Sequence, residues 1–547
     1  MAADAPRLLA LDTEDDSEGT CGIINFFDGR EHTTFTGPAL HVEAWAWLRE
    51  QGPAHVWACN VEYDLINLCG PWLGKMVTLQ YVSSGILRGS WRDAPARRPV
   101  TFFDTLRHWP ASVKRMGEFL GLPKLPQDFQ SVTYCRRDTE IVWRFVRAML
   151  DRYEALGLAV KATLPSMALQ LFRQMLGRPL PVVPEALREF FRLGYYGGRV
   201  EVYQFGPIAA STTYHYDVNS LYPSVMATGA YPDVWHPWRS RSTLDLGREG
   251  IAEVTMRVPE CALPGLPVRA DEELLYPWGR LRGVWPYPEL RGAVEDGAVI
   301  EAVHRCVEYA ALPASPFAEY VRYCYAQRRA ATDPLGDLHW KLMLNSLYGK
   351  FGQRDGLEVI HQDRSRTLAT RGSGHANVVW AAYVTSYARL ALLGHLRACR
   401  VVYYTDTDSV FTPEHRPTSG DLGALKLEGV YDLCQFFGNK VYAVQGVDAR
   451  GAVVDEAKAK GVPKDAARDF IRTGRAVYRK PARYRESRRS FAEANVWYDA
   501  EKRRDPLYTK RVILADGSTR AWEWGAYCRA VAEGSLDLQA KWGEVEP

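Results

Sequence analysis

The chain reads as a multidomain protein of mixed α/β and α+β class, and three observations lead there. Its 547 residues exceed what a single hydrophobic core organises, so several packed lobes are expected. Two apolar, strand-like runs at 7–15 and 55–65 are followed by a segment at 131–150 with apolar residues at 141, 142, 145, 146, 149 and 150, a helical period. A segment at 212–226 that begins as an alternating strand and a strand–turn–strand at 401–410, far apart in the chain, both deliver acids, which requires a sheet assembled from discontinuous segments.

Composition narrows the class. Hydrophobic content of 47% with 24% charge is that of a folded globular chain rather than a disordered one. No apolar run reaches the ~18 residues of a membrane span, and MAADAPRLLALDTEDD lacks the basic-then-apolar pattern of a secretory leader. Ten scattered cysteines form no CxxC pair, which argues against a zinc ribbon or disulfide framework and suits a reducing cytoplasm. No membrane partner and a monomeric state are expected. The net charge of +3 identifies no partner, but Lys464–Arg511 holds 15 Lys/Arg against 7 Asp/Glu. Within it, YRKPARYRESRR (478–489) interleaves basic and aromatic residues, as a segment gripping nucleic acid would, or as a solvated basic surface would.

The first lobe carries four acids. RLLALDTED ends in Asp12 and Glu14, two apart and on one face of a strand. A lone DxE is most often a capped strand end. Here HVWACNVEYDL adds Asn60 and Asp64, and the helical segment adds Tyr134 and Asp138, four apart on one helical face. Four acids with an Asn and a Tyr suit two-metal phosphodiester hydrolysis, with Tyr134 placed to orient the attacking water. Hard oxygen donors select Mg²⁺ or Mn²⁺ over zinc, two ions per centre. D-T-E, N-V-E-Y-D and Y-C-R-R-D, in this order, resemble the three motifs of the DnaQ-like 3′–5′ proofreading exonucleases attached to B-family DNA polymerases. The resemblance implies an RNase H-like domain. It also implies that Asn60, Thr105 and Leu106, the last two in FFDTLRHWP, hold the single-stranded primer end, with Lys124 a further phosphate contact.

The remaining two thirds hold a second set. TTYHYDVNSLYPSVM places Asp217 at a strand end, and VVYYTDTDSV presents Asp406 and Asp408 at a turn between two strands. Neither segment alone can bind two metals, so the strands must lie in one sheet. Between them, HWKLMLNSLYGKFGQ sets Lys341, Asn345 and Tyr348 on one helical face, with Leu342, Met343 and Leu347 turned to the protein. Such a face suits an incoming nucleotide, and Gly349 allows close approach of a strand. These blocks are similar to motifs A, B and C of B-family DNA polymerases. That implies a right-hand polymerase of palm, fingers and thumb, with Asp217 and Asp408 as metal ligands and Asp406 in support. It implies that Tyr222 packs beneath the sugar and selects dNTPs, and that Lys440, Tyr442 and Lys458 lie on the primer side of a DNA primer–template. Arg328 and Arg329 read first as surface arginines and second as triphosphate contacts.

Tyr195, Gly197 and Gly198 resemble the family's template-binding YxGG motif; as residues alone they read equally as a tight hairpin turn. Two insertions resemble those of the protein-primed branch, of phage, adenovirus and linear-plasmid type, implying a terminal protein as a possible partner. The expected division is an exonuclease domain at 1–155, a helical connector at 156–194, and YxGG and palm with motif A at 195–231. The first insertion follows at 232–314, fingers at 315–352, a second, hairpin-like insertion at 353–380, palm with motif C at 381–464, and a basic thumb at 465–547. A polymerase using an ordinary primer without a terminal protein is the alternative. A non-catalytic docking factor would have lost its metal acids, and a retroviral-type enzyme would place two aspartates side by side where Thr407 intervenes here.

Overall fold

The computed structural model describes residues 5–16, 19–82, 85–92, 99–208, 212–271, 273–353, 357–361, 364–368, 377–482, 497–504 and 508–536. The N-terminal lobe is built on a sheet whose central strands, Arg7–Asp15, Ala54–Ala58 and Pro99–Asp104, run parallel. Antiparallel strands flank them on both sides. Buried on both faces, the central strands are near-continuous apolar runs. The helix Val132–Ala155 packs across the sheet, started by the Ser131 hydroxyl, which accepts from the Tyr134 N–H at 3.3 Å. All six apolar positions of its expected period are buried.

Two connector helices, Leu164–Leu176 and Glu185–Leu193, lead into the palm. Its main sheet runs in the order Val453–Ala459, Val441–Asp448, Leu425–Gly438, Thr213–Val218, Ser409–Thr412, Tyr404–Asp406, Val200–Val202. The strands bearing Asp217 and the Asp406–Asp408 turn are therefore neighbours, as expected. The helix pair Ala318–Ala330 and Pro334–Phe351 occupies the stretch expected to form the fingers.

The first insertion forms a unit of its own. A four-stranded sheet orders Arg239–Arg241, Val299–Tyr309, Glu249–Val258 and Gly279–Pro286 around a core of Val254, Met256, Leu281, Trp285, Leu290 and Cys306. The second insertion is a hairpin, Leu357–His361 with Arg364–Leu368, and it does not stand alone. Its first strand pairs antiparallel with Thr78–Val82 and extends the N-terminal lobe's sheet to nine strands among the described residues. Thr78–Val82 would otherwise be an open edge, and pairing satisfies its backbone groups.

The expected thumb at 465–547 is two structures rather than one. The helix Lys464–Thr473 and the hairpin Arg475–Pro481 with Trp497–Arg503 form the first; residues 483–496, with most of the interleaved basic segment, lie outside the described residues. Residues 508–536 return to the palm. There the Tyr508 hydroxyl accepts from the Val202 N–H at 2.8 Å, and buried Arg511 pairs with Glu201 at 3.2 Å beside Arg199. A basic count could not separate arginines that face water from one that closes a buried ion-pair network.

Gly250 supplies a test of the insertion. A Cβ there would sit 2.2 Å from the Val307 carbonyl oxygen on the paired strand, a backbone atom that cannot yield cheaply. Gly250→Ala is expected to cost about 1–3 kcal/mol of this unit's stability, read as earlier urea unfolding and faster proteolysis within 239–309.

Candidate active sites

The first centre stands at the end of the strand Arg7–Asp15. Ligand atoms of Asp12, Glu14 and Cys135 all lie within 4.8 Å of one another. Asp64, on the helix Val61–Cys69, is held against the strand by two bonds from Thr13, the N–H at 3.0 Å and the hydroxyl at 2.9 Å. Asp138 projects from the long helix and is ion-paired with Lys124, whose ammonium also lies 4.7 Å from the centre of the Tyr134 ring. Lys124 therefore faces the acids. Burial is the largest cause raising all four carboxyls. Mutual repulsion raises three of them next: Asp138 acts on Asp12, and Asp12 acts on Glu14 and Asp64, whereas Lys124 opposes the rise of Asp138. Asp12 Oδ2 and Asp138 Oδ1 are buried without a hydrogen-bond partner. Unpaired buried carboxylate oxygens facing like charge are a donor set that a divalent cation fits.

Beside this centre the single-strand candidates separate. Asn60 is exposed and sits in the left-handed region at φ 72. Its N–H donates to Asp104 at 3.1 Å, and the same carboxylate oxygen accepts from the Leu106 N–H at 2.9 Å. Asp104, which the sequence did not single out, thus ties two of the candidates together; its position at a strand end before Thr-Leu was the available signal. Leu106 is 39% exposed, whereas Thr105 is fully buried. The expected Thr105 contact with DNA is corrected to a packing role, because the turn that exposes Leu106 points Thr105 inward.

The second centre is organised by backbone. The Val218 N–H donates to the Asp408 carbonyl at 2.7 Å, and Asp217 stands opposite Ser409 in the adjoining strand. Thr407, at φ 65, makes the turn, and its N–H donates to the Arg199 carbonyl at 2.8 Å. Burial raises Asp217 to about 7, with Asp408 the next cause, and raises Asp408 to about 6, with Asp406 next. Asp406 is instead paired with Lys440 at 3.3 Å. A cavity of about 600 Å³ opens over Asp217 and Asp408, lined also by Tyr222, Lys341, Asn345 and Lys426. Tyr222 and Tyr348 stack with ring centres 4.1 Å apart and planes within 5°.

Some expectations change here. Arg328 and Arg329 line this cavity rather than an outer surface, Arg328 being braced by Asp337 at 2.9 Å. The Asn345 amide donates to the Lys341 carbonyl of its own helix at 2.8 Å. The Tyr442 ring is buried among Tyr404, Phe411 and Phe436, and the exposed Lys458 covers it at 5.5 Å. Of that pair, Lys458 is the accessible one. Tyr195 to Arg199 form no hairpin turn. The chain runs extended into Val200–Val202, which pairs with the motif C strand, and a Cβ on Gly198 would meet Thr407 at 2.8 Å. Gly198 is thus required by the close approach of the Asp406–Asp408 turn, while Gly197 is exposed and has open space around it. Gly349 is likewise exposed and open. Arg389 went unnoticed in the sequence. Fully buried, it donates to the Tyr196 and Gly197 carbonyls at 2.7 and 2.9 Å and pairs with Glu289 of the first insertion at 2.8 Å.

Comparison with known proteins follows this geometry. A sequence model of the family described as DNA polymerase type B, organellar and viral, matches residues 124–366. A probable DNA polymerase of Neurospora intermedia is 24% identical over 388 residues, 60% of this chain and 39% of its own. The DNA-directed DNA polymerase of Enterobacteria phage PRD1 is 26% identical over 314 residues, 51% of this chain and 54% of its own. The chain therefore spans between about two fifths and about half of these curated relatives. Phi29 DNA polymerase complexed with primer-template DNA superposes with a TM-score of 0.73 at 16% identity, covering 91% of this chain and all of that one. In sequence over 124–366 the chain is similar to the type B DNA polymerases, and its fold is similar to that of phi29 DNA polymerase. The fold likeness covers more of the chain than the 124–366 match does.

The crowded acids make a pH prediction. A carboxyl raised by folding stabilises the fold below its unfolded pKa of about 4 and loses that contribution as pH rises through the folded value. In EDTA, the N-terminal lobe is therefore expected to melt earlier at pH 8.5 than at pH 5.5. Glu14→Gln is expected to raise the pH 8.5 melting temperature by about 2–4 °C, and Mg²⁺ or Mn²⁺ to raise that of the unsubstituted protein. Calorimetry with and without metal checks all three.

Proposed function

We propose that this chain is a DNA-directed DNA polymerase with a 3′–5′ proofreading exonuclease, replicating a viral or mobile-element genome. The observation that carries the reading is the Val218–Asp408 backbone bond. It brings acids from two distant segments to a cavity that is also lined by Lys341 and by Tyr222, whose ring stacks on Tyr348. The similar proteins are DNA polymerases by name, and phi29 DNA polymerase in its complexes holds primer-template DNA and incoming nucleotides, which supports the same substrates.

In the polymerase centre, Asp217 and Asp408 would hold two Mg²⁺ or Mn²⁺ ions. The metals supply activation of the primer 3′-hydroxyl and charge neutralisation for an in-line displacement on the dNTP. Lys341, Arg328 and Arg329 offer positive charge to the triphosphate. The Tyr222 ring, braced from behind by Tyr348, presents a rigid floor under the sugar and leaves no room for a 2′-hydroxyl. Asp406 keeps Lys440 oriented at the primer side, with Lys458 beyond it. Tyr195, Gly197 and the open Gly349 face the template. In the exonuclease centre, Asp12, Glu14, Asp64 and Asp138 would hold the second pair of metals. Tyr134 orients the attacking water and Lys124 holds Asp138 in place. Asn60 and Leu106 grip the unpaired 3′ end.

The reading extends to protein priming. The first insertion is a folded unit placed beside the palm, offering a surface to a terminal protein, and the enzyme works as a monomer in the host cytoplasm. Among the described residues no helix is long and apolar enough to cross a membrane. A primer-dependent enzyme without terminal protein is the alternative, and a neighbouring gene for a small basic protein with a priming hydroxyl would decide between them.

A labelled primer–template with Mg²⁺ and dNTPs, run beside a lane without dNTPs, tests both activities. Asp12→Ala/Asp64→Ala is expected to lose at least about 100-fold in 3′ shortening while extending primers; Asp408→Ala is expected to do the reverse. Normal extension by Asp408→Ala would overturn the assignment of the polymerase centre.

A further inference from the structure

A second cavity, of about 820 Å³, lies between the connector helix Leu164–Leu176, the loop after it and the last turn of the fingers helix, and it shares no lining residue with the polymerase cavity. Every charged residue on its wall is a cation: Lys161, Arg173, Arg178 and Lys350. Among the described residues none of the four belongs to an ion pair. The neutral polar groups beside them are already engaged. The Ser166 hydroxyl shares a bond with Thr163 at 2.9 Å, and the Gln170 amide lies against the Ala159 backbone.

The cations are set in place for a ligand. Arg178 lies with its guanidinium 3.3 Å from the Trp235 ring centre, and that indole donates to the Pro179 carbonyl at 2.9 Å. Stacking occupies the guanidinium face and leaves its in-plane N–H groups for an oxygen acceptor. Burial holds the Lys350 ammonium below its ordinary range, a cost that a neighbouring anion offsets. Four like charges around one concavity without an acid also repel one another, and only an anion removes that repulsion. Arginine forks beside lysine point charges match phosphate oxygens. The volume exceeds what one inorganic phosphate fills, so the site has room for several esters or for a nucleotide. Its position agrees. Lys350 directly follows the open Gly349, and Lys161 lies just beyond the helix that carries Asp138, so the cavity borders both lobes.

We propose that this cavity is a phosphate-ester binding site outside both carboxylate centres, filled by consecutive phosphates of a DNA strand or by a free nucleoside polyphosphate. The test is the full-length Arg173→Ala/Arg178→Ala protein beside a control, Arg30→Ala/Arg115→Ala, that removes the same charge from exposed positions elsewhere. Fluorescence anisotropy with labelled oligo(dT), titrated across salt, reads the strand; equilibrium dialysis with radiolabelled ATP reads the nucleotide. If the strand is the ligand, oligo(dT) binding weakens about three- to tenfold and the salt slope falls by about 1.4, two contacts at roughly 0.7 each. If a nucleotide is the ligand, ATP binding falls while oligo(dT) binding holds. Either result with the control unchanged supports the site. An equal loss in the control, or no loss of either ligand, overturns it. Should the alanine pair melt early, Arg173→Gln/Arg178→Gln keeps the stems and gives the same readout. None of these outcomes depends on whether the polymerase assignment is right, since no residue of either carboxylate centre is altered.

Discussion

Asp217 and Asp408 repel each other, and they are held together because backbone rather than side chain makes the contact. The Val218 N–H to Asp408 carbonyl bond belongs to a sheet whose strands bury apolar faces, so packing energy offsets the electrostatic cost of crowding two carboxylates. A side chain could rotate away from a like charge; a paired strand cannot. The cavity above, the tyrosine stack and the placement of Lys341 all depend on that fixed edge.

The same constraint recurs in the N-terminal carboxylate centre with different parts. A strand end supplies Asp12 and Glu14, two bonds from Thr13 hold Asp64, and a helix brings Asp138. That helix is also the mechanical link between centres. Its far end carries Arg152, paired with Asp333 at the start of the fingers helix at 2.8 Å, and Tyr153, whose ring centre lies 5.2 Å from that of buried His339. One rigid element thus bears an acid of the first centre at one end and packs at the other against the helix presenting Lys341. The second insertion ties the lobes again, through its strand beside Thr78–Val82.

The first insertion is joined to the catalytic sheet through buried charge. Glu289 on its helix pairs with Arg389, and Arg389 holds the carbonyls of Tyr196 and Gly197. A buried ion pair of this kind gains little net stability over an apolar pair, but losing one partner is costly. It therefore specifies where the loop before Gly198 runs. Gly198 in turn lets Thr407 seat the turn between the palm aspartates.

How much of this was legible in the sequence follows from the range of each interaction. Local order decided a great deal: the period of Val132–Ala155, the turn at Asp406–Asp408, the shared face of Lys341, Asn345 and Tyr348, and the acids themselves, because those depend on residues a few positions apart and on chemistry no other side chain supplies. Tertiary structure alone decided the rest. Thr105 went inward while Leu106 stayed out, Arg328 and Arg329 turned to the cavity, and Tyr442 went under Lys458, since spacing does not say which face a short turn or a strand will bury. Residues 508–536 left the basic region for the palm because Arg511 found a buried glutamate in a strand more than 300 positions earlier. The hairpin at 357–368 joined a sheet begun at residue 7 because an open strand edge needed a partner. Pairing across such distances is set by the energy of the assembled core, which no short window of residues contains.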